Sequence, residues 1–219
     1  IYGIQNALLR YYPGRKYETD HSGRIEEDYD MRYVPNAEQK VSEWSGGTTT
    51  ELYLYPPDGS YRERRFKVRL STAVCRDETS VFTKLSDTKR ILMVLDGAVE
   101  LCHESGKTVR LCPGDQDAFS GGEKTVSHGA CQDFNLMLKE GADGQLEYLK
   151  LTAGEKKIFD VKTDVLGIYL VTGSLDVSYH GKYQKMKKGD FLYEDSSHGE
   201  MVVHAFESCT LVIAKANNS

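Results

Sequence analysis

Polar side chains recur at alternate positions of two predicted strands, which is a pattern typical of a polar pocket lined by a β-sheet. In one strand a period of two places Arg69 and Ser71 on the same face, and in another it places Asp133 and Asn135 together. A planar guanidinium can bind a carboxylate with two parallel hydrogen bonds, and an amide can both donate and accept. These residues therefore predict a binding site for a small carboxylate.

A third strand adds a second arginine, Arg90, which directly precedes an apolar run. A buried arginine stays charged and needs an anionic partner, either a protein carboxylate such as Glu51 or Asp133, or a bound carboxylate. Trp44 precedes two glycines, which allow a close backbone approach while the indole forms a wall. The predicted ligand-binding residues are Trp44, Glu51, Arg69, Ser71, Arg90, Asp133 and Asn135.

Each of these residues also has a purely structural interpretation. Arg90 can belong to an internal salt bridge, Arg69 can lie on a solvated strand face, and Asn135 can fix a neighbouring loop. Trp44 can equally anchor a core. The sequence alone leaves both sets of interpretations open.

The elements that must position these residues are short β-rich runs separated by glycine turn signals, with no sustained helical period. Strands are predicted at residues 66–73, 90–95, 99–103, 167–171, 175–179 and 201–206. Two segments also share one plan, with turn glycines at corresponding places and an offset of about 75 residues. The glycines are Gly97, Gly106 and Gly114 in one copy and Gly173, Gly181 and Gly189 in the other. The pattern predicts a mainly β fold that arose by internal duplication.

The repeated unit resembles the cupin jelly roll, and two copies in one chain would make a bicupin of two jelly-roll β-barrels. Three units are predicted: an N-terminal extension of unknown role at residues 1–30, a first cupin-like domain at 31–145, and a second at 146–219.

Five clusters in the first half, in this order and spacing, resemble the HutD/Ves family over residues 31–137. They lie at residues 43–51, 68–73, 82–90, 119–122 and 133–137. Two departures stand out. Ser45 replaces the usual asparagine or other polar residue, and Thr88-Lys89-Arg90 stands where an Asp-Arg pair is typical, so that Arg90 is kept without its acidic neighbour.

The resemblance implies a protein associated with histidine utilisation, or a stress-related relative, in a family whose activity is poorly defined. The first hypothesis is a metal-free bicupin that binds a small carboxylate, such as the histidine-degradation intermediates urocanate or formylglutamate, in a sensing or regulatory role. A second is a metal-independent isomerase or hydrolase that uses Glu51 or Asp133 as general base. A third is a structural homodimer without a small ligand.

Metal-dependent cupins place histidines and a glutamate at fixed spacings, and this chain has other residue types there. In the first copy these positions hold Arg90, Ser86, Lys84 and Thr125, and in the second they hold Leu166, Lys162, Asp160 and Glu200. A guanidinium has no lone pair to donate, and one or two carboxylates without imidazole make a poor transition-metal site. No metal and no other cofactor is predicted.

The composition of the chain limits the classes of partner and the cellular location that we expect. The 219 residues include 28 basic and 33 acidic side chains, so the net charge of −5 argues against nucleic acid. The apolar runs are far shorter than a membrane-spanning helix, and no secretory signal opens the chain. The five cysteines are scattered without a C-x-x-C pair, which favours buried thiols over a disulfide framework. We expect a cytoplasmic protein.

Overall fold

The structure, a computed structural model, describes residues 17–19, 25–27, 31–139 and 141–218. The predicted extension at residues 1–30 lies outside the described residues, except for two three-residue strands that pair with each other. Within the described part of the chain, no helix is long and apolar enough to cross a membrane.

Almost every regular element is a strand, because β-branched and aromatic residues alternate with turn glycines along the whole chain. A single 3-10 turn, Asn36–Glu38, interrupts the strands of the described residues. The strands are β1 (Tyr17–Thr19), β2 (Ile25–Glu27), β3 (Arg32–Val34), β4 (Lys40–Trp44), β5 (Gly47–Tyr55), β6 (Val68–Cys75), β7 (Thr79–Val81), β8 (Thr88–Gly97), β9 (Val99–His103), β10 (Thr108–Leu111), β11 (Gln116–Ser120), β12 (Thr125–His128), β13 (Cys131–Lys139), β14 (Asp143–Leu151), β15 (Lys156–Thr172), β16 (Ser174–Tyr179), β17 (Lys182–Lys187), β18 (Phe191–Ala205) and β19 (Cys209–Asn217).

Two barrel-like units follow one another along the chain. In the first, a six-stranded sheet of order β11-β8-β13-β6-β5-β4 faces a four-stranded sheet of order β10-β9-β12-β7. The second is one seven-stranded sheet of order β14-β19-β15-β18-β16-β17, with β3 added beside β18. The predicted mainly β fold with two cupin-type barrels is confirmed.

The two barrels repeat the same backbone hydrogen bonds at corresponding positions. The Gly114 amide donates to the Val94 carbonyl over 2.9 Å, and the Gly189 amide donates to the Leu170 carbonyl over 2.7 Å. Both glycines have a positive φ, 95° and 87°, which a residue with a Cβ rarely adopts. The duplication inferred from the glycine spacing is therefore visible in the backbone.

A β-bulge recurs at the same place in each copy. The register between β13 and β8 skips Leu95, and the register between β19 and β15 skips Val171. A bulge bends its strand and re-aims the side chains beyond it. The shared bulge gives the two barrels matching inner faces, so that a residue in one has a structural counterpart in the other.

The apolar core of the described residues forms four clusters, and the three largest are considered in turn. One cluster joins the outer face of the first barrel to the second barrel, with Leu70, Phe134 and Phe191 fully buried in it. A second cluster fills the inside of the second barrel. A third occupies only part of the inside of the first barrel, around Leu92 and Leu101. The rest of that interior is the cavity described below.

Strand β3 ties the beginning of the first predicted domain to the second barrel. It pairs with β18, and the Tyr33 hydroxyl donates to Asp190 over 2.6 Å. Strand β14 begins at Asp143 and pairs with β19. The division into domains at 31–145 and 146–219 stays a prediction.

Candidate functional site

A cavity of about 540 Å³ lies between the two sheets of the first barrel. Its wall consists of the inward-facing residues of β4, β5, β6, β8 and β13, together with the segment around Tyr61 and residues of β7, β9 and β12. The structure brings all seven predicted residues to this one cavity: Trp44, Glu51, Arg69, Ser71, Arg90, Asp133 and Asn135.

Strands β6 and β13 form the floor of the cavity as a ladder of opposed pairs. Arg69 lies opposite Met137, Ser71 opposite Asn135, and Ala73 opposite Asp133. Because successive side chains of a strand point to opposite faces, every second pair enters the cavity and the pairs between them enter the core. The strand period of two predicted this separation of polar and apolar faces.

Arg69 is buried and has its charge compensated within the protein. Its Nε donates to Glu51 Oε2 over 3.0 Å, and one terminal nitrogen donates to the Ser71 hydroxyl over 3.0 Å. The guanidinium carbon also lies 4.1 Å from the centre of the Tyr61 ring. The interpretation of Arg69 as part of a solvated strand face is therefore wrong, and Glu51, which was considered as a partner of Arg90, pairs with Arg69 instead.

Arg90 is equally buried, at 5% exposure, but its surroundings are different. Its guanidinium lies 4.7 Å from the centre of the Phe82 ring and 5.5 Å from that of Phe119. Among the described residues, no hydrogen-bond acceptor pairs with its Nε. Burial lowers the pKa of Arg90 to about 10, although nearby Tyr61 and Asp133 oppose the shift. The group is a cation at neutral pH with an unused donor.

Asp133 and Asn135 supply unused acceptors in the same wall. Within the described part of the chain, Asp133 Oδ1 and Asn135 Oδ1 are both buried without a hydrogen-bond partner. Burial raises the pKa of Asp133 to about 7, and the positive charge of Arg90 limits the rise. Burying a polar atom without a hydrogen-bond partner reduces the free energy of folding, so the presence of two such atoms in the cavity wall needs an explanation. A ligand with matching groups would provide one.

Trp44 lies at the rim of the cavity and is 40% exposed. A Cβ on Gly46 would lie 2.1 Å from the indole, and a Cβ on Gly47 would lie 1.8 Å from the Val74 carbonyl oxygen. The two glycines therefore allow the indole to fold over the backbone and allow β5 to approach β6 closely. Trp44 forms part of the wall rather than a core anchor.

Three aromatic residues contribute to the site without a predicted role. Phe82 and Phe119 pack around the Arg90 guanidinium, and Tyr61 packs on that of Arg69. The two phenylalanines lie within the clusters that carry the family resemblance, which was the available signal. Tyr61 lies in a turn between β5 and β6, where no strand period marks its orientation.

A buried polar network on the inner face of the first barrel packs against Phe119. The His103 ring lies 4.9 Å from that of Phe119, centre to centre. One ring nitrogen of His103 contacts Asp117 Oδ2 at 2.8 Å and the other contacts the Thr125 hydroxyl at 3.0 Å. Lys107 pairs with the second oxygen of Asp117. The network holds the Phe119 ring in place, and this ring packs against the Arg90 guanidinium.

The cavity wall does not fit the divalent metal of metal-dependent cupins. The residues lining it include arginine side chains but no histidine. A guanidinium cannot act as a ligand, and the Glu51 carboxylate is occupied by Arg69. No group of three or more His, Cys, Asp or Glu side chains able to hold a metal occurs in the described residues. We derive no chemistry through a metal at this site.

The arrangement is complementary to a small molecule with two kinds of polar group. The free donor of Arg90 requires an acceptor, and a carboxylate is the acceptor that best matches a guanidinium. The free oxygens of Asp133 and Asn135 require hydrogen-bond donors, such as N–H groups. Aromatic rings and aliphatic side chains occupy the wall between them.

Comparison with known proteins identifies relatives of this architecture. The HutD family model matches residues 36–212. A comparison with curated protein sequences found no match.

Among solved structures, the conserved protein of unknown function PA5104 from Pseudomonas aeruginosa PAO1 is similar, with a TM-score of 0.76, 21% identity, and coverage of 86% of this chain and 100% of that one. HutD from Pseudomonas fluorescens SBW25, described for a formate condition, gives a TM-score of 0.67 and 20% identity, with the same coverage. The bacterial pirin YhhW from Escherichia coli, in complex with nickel(II), gives a TM-score of 0.63 at 12% identity and covers 85% of this chain and 98% of its own.

Proposed function

The chain belongs to the HutD family, and on that premise we propose that its first barrel binds a small carboxylate metabolite without a metal. The bound carboxylate accepts hydrogen bonds from Arg90 in the cavity between the two sheets. Binding without turnover serves a sensing or regulatory role. The cytoplasmic location and the homodimer stay predictions beside this proposal.

The observation that carries the proposal is the contrast between the two buried arginines. Arg69 already has Glu51 and Ser71 as partners, whereas the Nε of Arg90 has none among the described residues. A guanidinium buried between aromatic rings in a cavity wall is poised to bind a planar anion in a bidentate manner. A ligand carboxylate would supply the missing acceptor and compensate the charge.

The second polar end of the cavity narrows the ligand further. Asp133 and Asn135 both offer oxygen acceptors, so the ligand carries at least one N–H donor in addition to its carboxylate. Histidine-degradation intermediates such as urocanate and formylglutamate have this combination of groups. The volume of about 540 Å³ accommodates molecules of that size.

Isothermal titration calorimetry of the purified full chain tests the proposal. Formate serves as the minimal carboxylate, and urocanate and formylglutamate serve as acids with an N–H group. Arg90→Met removes the cation, and Lys89→Met is a matched control that removes a positive charge from the outer side of the same strand. Lys89 pairs with exposed Asp143 and does not line the cavity.

We expect saturable binding of at least one acid, a loss of affinity of about 100-fold in Arg90→Met, and little change in Lys89→Met. Equal affinity in the two variants would remove Arg90 from the site. Absence of binding for all three acids in the parent protein would reject the carboxylate proposal.

A second candidate function is acid–base catalysis without a metal, and the raised pKa of Asp133 favours it. A general base works best when its pKa lies near the working pH, and that of Asp133 is about 7. Glu51, the other base predicted from the sequence, is held by Arg69. Incubation of a bound acid with the protein, followed by mass spectrometry and NMR, distinguishes the two functions. A product that disappears in Asp133→Asn identifies an enzyme.

A further inference from the structure

Two cysteine thiols face each other across neighbouring strands of the cavity wall. Cys75 on β6 and Cys131 on β13 are register partners in an antiparallel pair, and both line the cavity. Opposed residues of such a pair have Cα atoms about 4.5–5.5 Å apart. Disulfides join Cα atoms about 4.4–6.8 Å apart, so the backbone already holds these cysteines at a bonding separation.

The side chains of the pair share one environment. Both cysteines are 9% exposed and belong to the same apolar cluster inside the first barrel. The Ser80 hydroxyl lies 3.2 Å from Cys75 Sγ, where it can donate to a developing thiolate. Burial, with the nearby Asp133 charge and Cys75, raises the pKa of Cys131 to about 12. Cys131 therefore stays a neutral thiol, and because of the Ser80 contact we expect Cys75 to be the attacking sulfur.

The second barrel contains a natural contrast to this pair. Cys209 begins β19 as Cys131 begins β13, and in each strand one further residue separates the cysteine from the shared bulge. The residue opposite Cys209 is Leu151 rather than a cysteine. A buried thiol without an opposed thiol is thus available in the same molecule as an internal reference.

We propose that Cys75 and Cys131 form a cross-strand disulfide when hydrogen peroxide enters the cavity. Cys75 loses its proton and attacks one peroxide oxygen, the O–O bond breaks, and the leaving hydroxide takes up that proton as water, which gives a sulfenic acid on Cys75. Cys131 then attacks that sulfur, the S–O bond breaks, and the hydroxide takes up the Cys131 proton as water. One peroxide is reduced to two waters, and two thiols are oxidised to one disulfide.

The bond would form two pairs along the ladder from Ala73 and Asp133, which is the next pair that faces the cavity. It would fix β6 to β13 at the end of the polar floor and replace two thiols of the wall with a single bridge. The proposal does not depend on a carboxylate ligand, because the opposition of the two sulfurs follows from strand register alone.

Peptide mapping of the full chain after treatment with hydrogen peroxide tests the proposal. A Cys102→Ser, Cys112→Ser background removes the half-buried and the exposed cysteine, and it leaves Cys209 as the reference. Samples are alkylated after unfolding, digested without reductant, and compared with a portion reduced before digestion. Trapping with dimedone in Cys131→Ser identifies the thiol that reacts first.

We expect a Cys75–Cys131 linked peptide that disappears on reduction, full alkylation of Cys209, and a dimedone adduct on Cys75 in the Cys131→Ser variant. Recovery of Cys75 and Cys131 as free thiols at a peroxide concentration that oxidises Cys112 in the parent protein would overturn the proposal. Links that involve Cys209 instead would also overturn it, because they would arise from unfolded chains.

Discussion

The two barrels share one backbone plan but have opposite interiors. In the first, Arg90, Asp133 and Asn135 face a cavity, and in the second the inside is filled by apolar side chains. The strand registers identify the counterparts as Leu166, Leu211 and Ile213. Each of these is no more than 2% exposed and belongs to the second barrel's core. At these three corresponding positions the same framework therefore carries polar side chains in one barrel and apolar side chains in the other.

The comparison first predicts that the second barrel is destabilised by a charged side chain at the position that corresponds to Arg90 of the first barrel. Leu166→Arg places a larger, charged side chain among the packed apolar residues of the second barrel, opposite buried Glu194 on β18, so we expect a loss of folding free energy on the order of 4 kcal/mol. Urea denaturation followed by circular dichroism measures it. A loss below about 1 kcal/mol would mean that the second barrel also has room for a charged group.

The second prediction concerns the dependence of stability on pH. The pKa of Asp133 rises from 3.8 in the unfolded chain to about 7 in the folded one, so the folded state binds the proton more tightly. Its contribution to stability is therefore complete below about pH 4 and is lost as the pH rises through 7, on the order of 3 kcal/mol.

The isosteric Asp133→Asn variant has no such group, and the unfolding free energies of the two proteins measured from pH 4 to 8 isolate the effect. The stability of the parent protein relative to the variant should fall across this range. If the difference in unfolding free energy between the two proteins stayed constant over this pH range, the pKa of Asp133 would be that of an ordinary aspartate.

The third prediction compares two turn aspartates at equivalent positions. Asp115 is exposed and accepts a bond from the Cys112 amide over 2.9 Å. Asp190 is fully buried and accepts bonds from the Lys187 amide, the Asn36 amide and the Tyr33 hydroxyl. We expect Asp190→Ala to cost about 3 kcal/mol and Asp115→Ala about 1 kcal/mol or less, since only the first leaves buried donors unsatisfied. Thermal and urea unfolding of both variants measure the difference.

We expect the smallest effect on stability when Arg90 of the first barrel is replaced by leucine, the residue type at the corresponding position of the second barrel. Arg90→Leu removes a buried charge that lacks a hydrogen-bond partner for its Nε, so the unfolding free energy should stay within about 1 kcal/mol of the parent value. Carboxylate binding should be lost in the same variant. A large destabilisation would instead assign Arg90 a structural role and weaken the binding proposal.

The sequence predicted the parts of the site that depend on strand period. Alternation placed Arg69 and Ser71 on one face and Asp133 and Asn135 on another, and the structure joins these faces at one floor. The pairing of β6 with β13 could not be predicted, because register depends on which distant strand is adjacent in the sheet. The opposition of Cys75 and Cys131 follows from that register and was therefore invisible in the sequence.

Other parts of the fold depend on contacts between distant segments. The glycine spacing predicted the duplication, but long strands such as β15 and β18 were predicted only in part, since they continue through polar residues at their exposed ends. Strand β3 gave no signal that it would join the second barrel. Tyr61 reaches the cavity from a turn, where side-chain direction has no period.

The attachment of β3 to β18 has a consequence for the order of events during synthesis. Tyr33 and its partner Asp190 are 157 positions apart, and every strand of the first barrel lies between them in the chain. As the nascent polypeptide emerges, β3 has no partner strand while all the strands of the first barrel are synthesised after it. Strand β18 then pairs with this early segment, so a chain that ends before residue 190 lacks both the strand and the aspartate to which β3 binds.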